Sequence, residues 1–144
     1  MKLEEIFEEW DKDCSINKSE LGTESLDRPV LHNKYLKIMT IESVKLRQLK
    51  ADYDTMNNLR AEWYMGRMSE EKLKSLAWEP NPLRIMKDDL GRHIKSDKFL
   101  IKVSLQIGEQ EELISHLASI IDQINKRGWD IKNCLEWLKF TNGG

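Results

Sequence analysis

The run DKFLIKVSLQIGEQEELISHLASIIDQINKRG, from Asp97 to Gly128, decides the fold class. Ser96 or Asp97 supplies an N-cap, Gly128 a stop, and the residues between them read as one helix of about thirty residues. Val103, Gln110, Leu117 and Ile124 recur at intervals of seven, and Phe99, Gln106, Leu113 and Ile120 form a companion series. Together they make the a and d positions of a heptad seam. Gln106 and Gln110 interrupt it, and polar residues in a seam lower stability while helping to fix register or subunit number. Two readings are open. Either Val103, Gln106, Gln110, Leu113, Leu117, Ile120 and Ile124 join copies into a homo-oligomer, or the same stripe packs intramolecularly.

The rest of the chain extends the helical pattern. Leu3, Phe7, Trp10 and Cys14 lie at spacings of four and three and place one face of a first helix inward, with its glutamates outside. Asp27 can cap a second helix with Pro29 in its first turn, and Thr40 a third running to about Met65. SEEKL from Ser69 opens a short helix, WEPNP at 78–82 is a break, and residues 83–95 are ambiguous because Gly91 interrupts them. A last helix from Asp130 to about Phe140 leads into TNGG, which reads as a frayed end. No strand pattern emerges. The expectation is an all-α, elongated protomer, one domain over 1–144 with a break near 78–82.

LRAEWYMGR, residues 59–67, is where chemistry enters. Leu46, Leu49, Tyr53 and Met56 mark the apolar face of the third helix, and at about 100° per residue Arg60 continues that face while Arg67 points almost along Leu49. A guanidinium on an apolar seam requires a partner charge, a subunit interface or a polyanion. Gly66 then supplies the helix stop. Arg60 and Arg67 therefore read either as phosphate contacts or as members of ion pairs. Trp63 and Tyr64 read as packing first and as base-stacking surfaces second.

The formal net charge is −2, but it is segregated. Residues 1–27 carry three basic and nine acidic side chains, residues 28–67 eight and four, and residues 84–102 six and three. Such blocks are either solvated helix faces or a basic surface on a nearly neutral protein. Lys45, together with Arg92, Lys95 and Lys98 near a helix N-terminus, joins the two arginines as a candidate anion contact.

Other chemistries find no support. His32, His93 and His116 share no metal-ligand spacing with Cys14 or Cys134, which read as buried free thiols. No phosphate-cradling glycine loop, nucleophile elbow or HExxH motif occurs, and the acidic pairs lie on exposed helix faces. The expectation is no cofactor, no metal and no enzymatic activity. No signal peptide or membrane span is readable, so a soluble cytosolic protein is expected.

MKLEEIFEEW with KDCSI at the start, RAEWYMGR at 60–67, DKFLIKVSLQ from Asp97 and NKRGWDIKN at 125–133 resemble, collinearly and through nearly the whole chain, the UvsY recombination mediators of T-even-type phages. The resemblance implies a helical protomer in a ring-like or open-barrel homo-oligomer, a heptamer. It also implies single-stranded DNA, the phage single-strand-binding protein and a RecA-like (UvsX-type) recombinase as partners, in the cytoplasm of the infected bacterial host. The family's basic DNA-binding pair lies in the stretch matching Asn58 to Arg60; only Arg60 is retained, and Asn58 is a departure that removes a charge. The rival reading of the residues is a helical oligomeric scaffold or adaptor without direct nucleic-acid binding.

Overall fold

The computed structural model describes residues 1–143; Gly144, at the end of the stretch expected to fray, lies outside the described residues. Five helices account for the fold: α1 (Leu3–Asp13), α2 (Leu21–Tyr64), α3 (Glu70–Leu76), α4 (Lys87–Lys95) and α5 (Lys98–Thr141). No strand occurs among the described residues. The chain divides into two compact units, Met1–Val44 with Gln110–Gly144, and Lys45–Glu109. The two 44-residue helices α2 and α5 contribute to both. The break at 78–82 lies inside the second unit.

In the first unit, α1 and the N-terminal part of α2 close over the heptad stripe of α5. Leu113, Leu117, Ile120 and Ile124 are buried together with Ile6 and Tyr35, and Leu3, Trp10, Leu31, Ile38 and Met39 pack against them. Four residues expected at an oligomer interface are thus core of the protomer, each stabilising by about 1.5–3 kcal/mol through burial. The reason is local. Gln110 is held inside the same chain, its Nε2 donating to the Glu42 carbonyl at 2.9 Å and to Glu42 Oε2 at 2.7 Å, so α2 occupies this part of the stripe. Val103 is half-buried and Gln106 exposed, both in the second unit.

Polar ties complete this unit. Tyr35 donates to Asp13 Oδ2 at 2.9 Å, and Lys34 bridges Asp13 at 2.6 Å and Glu9 at 2.9 Å. Arg127, buried, donates through Nη2 to the carbonyls of Asp13, Cys14 and Ser15 at 2.8, 3.1 and 3.3 Å. These carbonyls lie at and just beyond the end of α1, where a cation also interacts favourably with the helix dipole.

Several boundaries differ from the sequence expectation. Asp27 and Thr40 do not start helices, because α2 begins at Leu21 and runs through both. Thr40 Oγ1 donates back to the Leu36 carbonyl at 2.8 Å, an in-helix bond that satisfies the hydroxyl without ending the helix. Gly128 does not stop α5 either. The helix runs straight through it, and a Cβ there would stand 2.7 Å from Nη1 at the mobile tip of the exposed Arg28 side chain. In α1 the inward residue is Ile6, while Phe7 is exposed and touches His116 edge-on at 4.7 Å. Cys14 is exposed and Cys134 half-buried; both are free.

Ser69 caps α3 as expected, accepting from the Lys72 amide at 3.2 Å. That helix ends at Ala77 with φ 56°, a left-handed conformation that costs a non-glycine residue about 1–2 kcal/mol. Ala77→Gly is therefore expected to raise the free energy of urea unfolding by up to about 1 kcal/mol, and an unchanged or lower value would show that the turn is not strained. Leu117→Ala is expected to lower it by about 2–5 kcal/mol. A variant with unaltered protomer stability but impaired self-association would instead return Leu117 to an intersubunit seam.

Candidate nucleic-acid interface

The second unit is built around the C-terminal end of α2 and the start of α5. Helix α2 ends in a Schellman turn: the Gly66 amide donates to Trp63 at 3.1 Å and the Arg67 amide to Glu62 at 3.0 Å, with Gly66 at φ +68°. This is the stop that the sequence indicated. Residues 79–85 are strapped along the same end. Trp63 Nε1 donates to the Glu79 carbonyl at 2.7 Å, and both Asn81 Nδ2 and the Ile85 amide donate to the Tyr64 carbonyl, at 3.0 and 2.9 Å.

Arg60 lies beneath this strap and is only 7% exposed. Its Nε donates to Asp97 Oδ2 at 2.8 Å, and its guanidinium carbon is 4.2, 4.8, 4.6 and 5.3 Å from the ring centroids of Trp63, Trp78, Phe99 and Tyr64. The charge is compensated internally. Asp97, 2% exposed, also accepts from the Tyr64 hydroxyl at 2.7 Å, while its Oδ1 caps α5 by accepting from the Leu100 amide at 3.0 Å. Of the three partners that an arginine on this face could have had, the structure supplies a partner charge. Arg60 is thus paired with Asp97 and largely buried, with only an edge reaching the neighbouring cleft, and Trp63 and Tyr64 are half-buried around it.

Burial alone would raise the Asp97 carboxyl, but hydrogen bonds from Tyr64, Arg60 and the Leu100 amide outweigh it and hold the group below the ordinary aspartate value of 3.8. The unfolded chain thus binds that proton more tightly. The stabilisation is fully present above the ordinary value and is lost as pH falls through the lowered one.

The remaining candidates are exposed. Asn58 and Lys45 lie on α2, Arg67 just beyond its end, Arg92 and Lys95 on α4, and Lys98 at the start of α5. All belong to the second unit. Lys98 shares a cleft of about 460 Å³ with Tyr64, Asn81, Pro82, Leu83, Ile85 and His93. Arg67 instead lines a groove of about 440 Å³ with Met65, Arg84, Ile85, Met86 and Lys87. Arg92 faces Asp89 at 3.9 Å, an exposed pair of little energetic weight. Arg84 and Lys87 were visible in the sequence only as members of a basic block; their place beside Arg67 comes from the strap. No cluster of His, Cys, Asp and Glu suited to a metal occurs among the described residues.

A family model described as "Recombination, repair and ssDNA binding protein UvsY" matches residues 9–144. The chain belongs to the UvsY family. The recombination protein uvsY of Enterobacteria phage T4 is 22% identical to it over 143 residues, 99% of each chain. Crystal structures of the bacteriophage T4 recombination mediator protein UvsY share its fold. One has a TM-score of 0.84 at 23% identity, covering 97% of this chain and 99% of the other. A second lattice type has 0.82, also at 23% identity, covering 100% and 99%. The all-helical protomer expected from the sequence is thus the UvsY fold.

Asp97→Ala is expected to lower the unfolding free energy by about 3–5 kcal/mol, since it leaves a buried guanidinium unpaired, and to shift tryptophan emission through Trp63 and Trp78. The wild type should lose stability in acid as pH falls below the ordinary aspartate value, and the variant should lack that part of the decline. Wild-type stability in Asp97→Ala would show that the pair does not hold the unit together.

Proposed function

We propose that this UvsY-family chain is a non-enzymatic recombination mediator that binds single-stranded DNA as a homo-oligomer and promotes loading of a RecA-like recombinase onto strands covered by single-strand-binding protein. One observation carries the reading. The second unit holds thirteen basic and ten acidic residues, net +3, against ten and fifteen, net −5, in the first. Lys45, Arg67, Arg92, Lys95 and Lys98 are all exposed on it, so positive surface is concentrated where the candidate contacts lie. Such a surface attracts a polyanion although the whole chain is acidic.

The family's description as recombination, repair and ssDNA binding protein supports the same reading. A non-sequence-specific mediator needs phosphate contacts more than base-edge contacts, and Asn58 keeps a hydrogen-bond donor without the charge. The ring-like, heptameric assembly is part of the proposal. Because Leu113, Leu117, Ile120 and Ile124 are internal, its contacts fall to other surfaces, and exposed apolar side chains such as Leu26, Val30, Trp129, Trp137 and Phe140 are available for them. The site of action is the cytoplasm of the infected host; no helix among the described residues is long and apolar enough to cross a membrane.

Solution mass with and without a labelled single-stranded oligonucleotide tests both halves of the proposal. The free protein is expected to exceed the 17.0 kDa of one chain several-fold and to gain the mass of DNA at low salt. Affinity should fall steeply with salt, with a log–log slope of about 0.7 per phosphate contact. A particle that dissociates in high salt yet never binds the strand would favour the scaffold reading instead.

A further inference from the structure

The groove beside Gly66 gathers three cations with no ion-pair partner among the described residues. Gly66 turns the chain, and a Cβ at that position would stand 3.7 Å from Cγ of Arg84, so the Arg84 stem lies over the turn. The Ile85–Tyr64 and Asn81–Tyr64 hydrogen bonds hold the strap in place and so set Arg84 next to Arg67, with Lys87 following in the first turn of α4. Arg67, Arg84 and Lys87 are exposed, and none of their side chains has an ion-pair or hydrogen-bond partner among the described residues. No carboxylate lines the groove, and Asp89 of α4 faces Arg92 instead. Like charges collected around one concavity repel, and an anion seated there relieves the repulsion.

A second feature makes the anion a polynucleotide instead of an isolated phosphate. Ile85 is a wall of this groove and also of the neighbouring cleft, whose other sides include Tyr64, Leu83 and His93. The Tyr64 and His93 rings, both half-buried, are 5.4 Å apart, and Leu83 is 68% exposed, so a partly accessible aromatic and apolar surface lies beside the cations. Cations beside a platform for bases is the pairing that single-stranded nucleic acid requires.

We propose that Arg67, Arg84 and Lys87 hold neighbouring phosphates of a single DNA strand while the cleft of Tyr64, Leu83 and His93 seats an adjacent base. The proposal rests on the single-stranded DNA reading above and deepens it. The phosphate grip passes from Arg60, which Asp97 engages, to a trio beyond the end of α2 and across the strap.

The test compares the full-length wild type with R67Q/R84Q/K87Q on labelled oligothymidylate across a salt series. The triple variant is expected to bind at least about tenfold more weakly at low salt, and its log–log salt slope should fall by about 2, each lost contact removing about 0.7. A control with the same charge loss on the first unit, K18Q/K37Q/K139Q, should keep the wild-type slope to within about 0.5. Urea midpoints check folding; should the triple variant be unstable, each single substitution should still lower the slope by about 0.7. If the wild type binds and the triple variant matches it, or if the control loses as much, the groove assignment is overturned and the single-stranded DNA reading stands. If the wild type fails to bind at low salt, both fall. An abasic strand of equal length should bind the wild type about tenfold more weakly per seated base, and equal affinity for the two strands would overturn the base-seating half.

Discussion

Asp97 does two things with one carboxylate. Its Oδ1 caps α5, and its Oδ2 accepts from Arg60 and Tyr64 of α2, so the start of one long helix is fastened to the end of the other. Both charged groups are buried, which makes the pair costly to form and costlier to break. Four aromatic rings surround the guanidinium. The strap of residues 79–85 rests on this assembly through Trp63 and Tyr64, and the positions of Arg84 and Lys87 depend on the strap.

Arg60 and Arg67 show how one sequence pattern divides into two roles. Both lie on the direction of the α2 apolar face, yet Arg60 precedes the helix end and turns inward, whereas Arg67 follows Gly66 and is released to solvent. The Schellman turn separates them. The first unit has a corresponding device: Arg127 is as buried as Arg60, but its partners are the free carbonyls at the end of α1, with Glu24 at 3.7 Å from Nη1. Each unit thus has one buried arginine beside a helix terminus, Arg127 bonding the carbonyls directly and Arg60 bonding the capping carboxylate.

Helix content, the heptad stripe of α5, the caps at Ser69 and Asp97 and the stop at Gly66 were all legible, because each follows from local backbone chemistry or from a periodicity within one segment. Helix boundaries at Asp27, Thr40 and Gly128 were misread for a common reason. A capping residue or a glycine marks a helix boundary only where the flanking segments have nothing further to bury, and α2 and α5 run through these positions because residues on both sides, such as Tyr35 and Ile131, meet the core. Gly128 carries the same residue signal as Gly66 but lies inside α5, which no local pattern encodes.

By itself the sequence determined an all-α chain, a segregated charge distribution and the requirement that Arg60 find compensation. Those properties reside in the order of residues along single helices. Tertiary structure alone decided what fills the α5 stripe, which partner Arg60 has, and which cations share a groove. Each of these depends on residues dozens of positions apart, Arg60 with Asp97, Gln110 with Glu42, Arg67 with Arg84, and the free energy of such a contact arises only once two elements exclude water from the space between them.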